Sequence, residues 1–96
     1  MRELMYIENK DGEIDGVPAR IGWVTFSKTK RTIYYRGKSL QRGNVIRGNH
    51  FDVDTGEEYW ISGIKQRGSN SHPAEPVEVS VDDDAIDEYH LSLIHI

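Results

Sequence analysis

The chain has 96 residues, 36% of them apolar, no cysteine and a formal net charge of −4 at pH 7. That length fits one domain. The lack of cysteine excludes disulfides, a thiolate nucleophile and a cysteine-based zinc site. No stretch approaches a membrane span and MRELMYIENK has no apolar signal core, so the expected setting is the cytoplasm, with no membrane partner.

Charge is segregated along the chain. Residues 1–15 carry two cations and five acids, residues 16–51 eight cations and no acid, and residues 52–96 two cations and eleven acids. An acid-free segment of this kind can mark an anion-binding face. The bland alternative is that the acidic C-terminal part folds over the basic middle and neutralises it.

Leu4–Glu8 reads as a first strand, with Leu4 and Tyr6 on one face and Met5 and Ile7 on the other. Met5 is an alternative start. Residues 9–18 form a loop with turn dipeptides Asp11-Gly12 and Asp15-Gly16. Ala19–Gly37 reads as a β-hairpin and is the organising element. Its first strand, ARIGWVTF, has apolar groups on both faces, as a central strand does. Residues 27–31 make a polar turn with three cations, and TIYYRG is the return strand. Tyr34 and Tyr35 are adjacent, so one faces in and the other out. Ser39-Leu40-Gln41 either prolongs that strand or starts a loop. A second hairpin covers Asn49–Gly63, with Gly56 at a left-handed turn position. Residues 65–76 are a polar, proline-containing connection. Val77–Val81 alternates strictly and reads as an edge strand. Asp82–Tyr89 reads as a short helix capped by Asp82 or Asp83, with Ile86 and Tyr89 on one side. Leu91–Ile96 (LSLIHI) matches the translation of a transposon-derived sequencing adapter. It is therefore set apart as a non-native tail, leaving residues 1–90 as one β-rich domain.

Taken together, MYIE at 5–8, ARIGWVTFSK at 19–28, TIYYRG at 32–37, FDVDTGEEYWISG at 51–63 and DDAIDEY at 83–89 resemble a small bacterial protein family of uncharacterised function. Some of its members carry the name 1-deoxy-D-xylulose-5-phosphate synthase. The resemblance spans most of residues 5–89. It implies a glycine where this chain has Lys30, and a C-terminal helix inside which this chain stops. The synthase name implies thiamine diphosphate held through a metal and a carbanion buried between large domains. This chain has no glycine-rich loop entering a helix and too few residues to enclose such chemistry, so no cofactor is expected.

Three candidate sites stand out. His50, Asp52 and Asp54 share a strand face and are the best metal or acid–base set, although polar residues on a strand face are more often its wet side. Asp82, Asp83 and Asp84 are consecutive and point apart on a helix, which suits capping better than a cation. The basic, aromatic hairpin is the strongest signal. Lys28, Lys30, Arg31, Arg36 and Lys38 can meet phosphates, while Trp23, Tyr34, Tyr35 or Trp60 can stack on bases, and an exposed ring among them can anchor a protein partner.

The expected fold is mainly β: a small antiparallel open barrel or layered hairpins, SH3-like or OB-like, of five or six strands with a short C-terminal helix. The expected role is a non-enzymatic binding module for a protein or a single-stranded nucleic acid. A metal-dependent or synthase-type enzyme is the alternative, and oligomeric state is left open.

Overall fold

The computed structural model describes residues 1–64 and 77–94. The connection at 65–76, with His72, lies outside the described residues. Two long strands form the spine, β1 (Arg2–Asn9) and β2 (Ala19–Phe26). They pair antiparallel from Arg2 with Thr25 to Glu8 with Ala19. Both are apolar on both faces because each separates two cores. Met5, Ile7, Val24 and Phe26 belong to the barrel interior, whereas Leu4, Tyr6, Ala19 and Ile21 belong to a second cluster outside it. Side chains alternating across a strand produce this division.

Four more strands complete the ring: β3 (Thr32–Tyr35), β4 (Lys38–Arg42), β5 (His50–Asp52) and β6 (Glu58–Gly63). Each pairs antiparallel with the one before it, and β6 returns to β1 from Met5–Gly63 to Asn9–Tyr59. The expected mainly β barrel with a short C-terminal helix is therefore present, as a closed ring of six strands with one strand added. Closure of the ring leaves little free sheet edge on these six strands. The stretch Ser39–Gln41 belongs to a strand of its own. The chain reverses at Arg36 and Gly37, whose φ angles of 48° and 76° are the paired left-handed values of a two-residue hairpin turn. Asp15-Gly16 makes a similar turn, bracketed by the Ile14–Val17 bridge, and Gly56 adopts φ 79° as expected.

The seventh strand, β7 (Val79–Val81), lies at the end of the sheet order. It runs parallel to β2, pairing Ala19–Ile21. It fits there because β3 pairs with β2 only at Thr25 and Phe26, leaving the rest of that β2 edge open. A 3-10 turn (Asp83–Ala85) leads into α1 (Ile86–Ile94). Val81 and Tyr89 pack on the outer cluster beside Trp60.

Asp82 is the N-cap residue, yet its side chain makes no cap hydrogen bond. Its carboxylate instead enters the β2–β3 seam. It accepts from Arg20 Nη1 (3.1 Å), Arg36 Nη2 (3.0 Å) and the Tyr35 hydroxyl (2.5 Å). Gly22 lies beneath it. A Cβ at Gly22 would come within 2.9 Å of the Tyr35 ring and collide with the Asp82 carboxylate. The acidic C-terminal part does therefore neutralise part of the basic middle, at one defined place.

Candidate nucleic-acid interface

The expected hairpin residues divide into two groups. Tyr35 is 4% exposed and faces the interior, with its phenol held by Asp82. Burial, and then the Asp82 carboxylate, push that phenol's pKa upward. Arg36 donates to Tyr35, to Asp82 and to Asp15 Oδ2 (2.7 Å), so its charge is already spent inside the fold. Those hydrogen bonds hold it more firmly protonated, and Arg36 in turn holds Asp15 below the usual carboxylate range. Trp60 is part of the outer cluster. Trp23 is engaged as well, with the Arg2 guanidinium 4.0 Å above its ring and its indole N–H donating to the Asp84 carbonyl.

Lys28, Lys30 and Arg31 stand exposed on the β2–β3 loop, and Tyr34 projects outward with 44% exposure. The alternation of Ile33, Tyr34 and Tyr35 across β3 causes this split. Lys38 sits at the opposite end of the β3–β4 hairpin, within the field of Asp15.

Of the eight cations in the acid-free segment, Arg20 and Arg36 pair with Asp82 and Arg47 pairs with Asp11. Lys28, Lys30, Arg31, Lys38 and Arg42 make no ion pair among the described residues. Arg31 and Arg42 are brought together, because the Arg42 amide donates to the Arg31 carbonyl (2.8 Å) and so joins the end of β4 to the β2–β3 loop, which also carries Lys28 and Lys30. Arg31 and Arg42 line a cleft of about 440 Å³ with Gly43, Asn44, Val45, Gly48 and Asn49.

The outer face of β3, β4 and β5 adjoins this cationic corner. Cross-strand register places Thr25, Tyr34 and Ser39 in one row, and Thr32, Gln41 and Phe51 in the next. Phe51 is half-buried, with its ring against Gly43, where an added Cβ would meet Phe51 Cε1 at 2.9 Å. Tyr34 and Phe51 thus flank a polar surface of Thr25, Thr32, Ser39 and Gln41, beside cations without an ion pair among the described residues.

Phe51 and Arg42 are the functional candidates that sequence reasoning missed. The pattern His50-Phe51-Asp52-Val53-Asp54 suggests a polar outer face, but the structure turns it the other way. His50 is 3% exposed and Asp52 4%, while Val53 is exposed. Asp52 faces inward because Oδ1 caps the hairpin turn, accepting from the Asp54 amide (2.8 Å) and the Thr55 amide (3.4 Å). His50 Nδ1–H donates to Asn49 Oδ1 (2.8 Å), and Asn49 in turn bonds both the amide and the carbonyl of Ile61. Burial, then the nearby Arg42, lower the His50 pKa to about 4. Asp54 lies exposed in the turn, apart from the other two.

Among the described residues no three His, Cys, Asp or Glu side chains are placed to hold a metal. No described helix is long and apolar enough to cross a membrane. In comparisons with known proteins, no family model, curated protein or solved structure matches this chain.

Proposed function

We propose that the chain is a non-enzymatic binding module that takes single-stranded nucleic acid on the outer face of β3–β5. The observation carrying this reading is the grouping of Lys28, Lys30, Arg31 and Arg42, all without an ion pair among the described residues, beside outward-facing Tyr34 and half-buried Phe51. Rings on a sheet supply base stacking, and neighbouring cations supply phosphate contacts. A protein partner would use the same tyrosine as an anchor, but it gives no reason for so many unpaired cations. The absence of cysteine suits a cytoplasmic setting for this role.

The test is fluorescence anisotropy with labelled single-stranded RNA and DNA homopolymers at several salt concentrations. Three to four phosphate contacts would give a slope of log affinity against log salt of about −2 to −3. Tyr34→Ala should weaken binding about tenfold with the slope unchanged, as loss of one stacked base implies. Replacing Lys28, Lys30 and Arg31 with glutamine should flatten the slope. No binding at low salt would overturn the reading.

A further inference from the structure

We infer that the cleft between the β2–β3 loop and residues 43–49 is a site for a phosphate group, held by Arg31 and Arg42. The cleft lies next to the stacking face and is distinct from it.

Three observations support the assignment. First, both guanidinium-bearing residues line the same concavity, and neither has a carboxylate partner among the described residues. Arginine is suited to phosphate because its planar fork matches two phosphate oxygens. Second, the wall between them is built of Gly43, Asn44, Val45, Gly48 and Asn49, so small and amide-bearing residues predominate. The amides of Asn44, Ile46 and Gly48 make no hydrogen bond among the described residues, while neighbouring Gly43, Val45, Arg47 and Asn49 all donate; of the three, Asn44 and Gly48 line the cleft. Third, the loop that carries these amides is anchored independently of any ligand. Arg47 pairs with Asp11 and donates to the Lys10 carbonyl, and Asn49 clamps Ile61. A wall held in this way loses little freedom when an anion arrives. At about 440 Å³ the cleft admits a group larger than inorganic phosphate, of nucleotide size.

The phosphate has two possible sources, an internal diester of a bound strand or a terminal monoester. Only this choice of source rests on the nucleic-acid reading above.

The test uses the full chain, with amide chemical shifts as the readout. Inorganic phosphate and adenosine 5′-monophosphate should each shift the Gly43, Asn44 and Gly48 amides saturably, whereas adenosine should not. Arg42→Gln and Arg31→Gln should each weaken nucleotide binding about tenfold or more, the loss of one charge-assisted contact. Arg31→Gln lies on an exposed loop and keeps the test decisive if Arg42→Gln fails to fold. A 5′-phosphorylated oligonucleotide binding more tightly than its unphosphorylated twin, with the gap lost in Arg31→Gln, identifies the terminal monoester. Equal binding of the two, weakened equally by that variant, identifies the internal diester. Wild-type affinity for nucleotide and strand in both arginine variants overturns the inference, even if Tyr34→Ala still loses the strand. Saturable nucleotide binding without strand binding upholds the cleft and removes the nucleic-acid reading.

Discussion

Lys30 holds a backbone conformation that L side chains resist. Its φ is 63°, at the point where the β2–β3 loop turns back and the Lys30 amide donates to the Ser27 carbonyl. Its Cβ costs about 1 kcal/mol there, a penalty that glycine does not incur. Lys30→Gly is therefore expected to raise stability by up to about 1 kcal/mol, partly offset by the entropy that glycine gains in the unfolded chain. In urea unfolding this reads as a higher midpoint with an unchanged slope. A lower midpoint would show that the lysine side chain contributes more than its backbone costs. The loop's polarity and cations were readable from composition. Its left-handed residue was not, because Lys-Arg carries no turn signal of the Asn-Gly kind. The inward placement of His50 and Asp52 escaped for a related reason. Alternation assigns residues to two faces but does not say which face is wet, and the hydrogen bonds that Asp52 accepts from the amides of its own turn decided the matter.

At the level of elements, the strands most legible in the sequence were those with rings or branched residues on both faces. β1 and β2 separate two cores, and the double-sided pattern reported it. Less legible was what fills the open part of the β2 edge. Nothing local in Val-Ser-Val specifies a parallel partner, and the contact that secures it is Asp82, more than forty residues from Tyr35. The charge census offered a meeting of acids and bases as the alternative to an anion-binding face, without saying which residues would meet. Removing Asp82 leaves Arg20 and Arg36 facing each other across the seam and takes away the acceptor of the Tyr35 hydroxyl proton. With Arg36 about one-third exposed and still paired to Asp15, Asp82→Ala should cost about 2 kcal/mol, below the full penalty for a buried charge. The loss should also be local. All six barrel strands pair among themselves, so hydrogen exchange should speed up in β7 and α1 and in the adjoining residues 19–21, while β4–β6 keep their protection. Uniform loss across the barrel would instead make Asp82 part of the global fold.

For the whole molecule, the groups displaced from their ordinary pKa values set limits to stability at both ends of the pH scale. His50 titrates near 4 in the fold, against 6.5 when free, because the barrel interior and Arg42 disfavour its charged form. Between those values the unfolded chain takes up a proton that the native state refuses. Stability is then complete above about pH 6.5 and declines as pH falls toward 4, by about 3 kcal/mol at most. Asp15, held low by Arg36, acts in the same direction further down, since its contribution is lost as pH falls through its native value. At the alkaline end Tyr59 is pushed up to about 12, by burial first, and Tyr6 and Tyr35 move the same way. The unfolded chain then ionises first, and stability falls as pH rises above about 10. The acid limb is the sharper test, because one buried residue dominates it. Urea midpoints measured from pH 7 to pH 4.5, at protein concentrations low enough to avoid association near the pI of 5.5, should fall steadily for the wild type. His50→Gln cannot bind a proton in this range. It should start lower for want of the native packing, yet show a clearly shallower pH slope. Parallel slopes for the two proteins would remove His50 as the source of acid sensitivity.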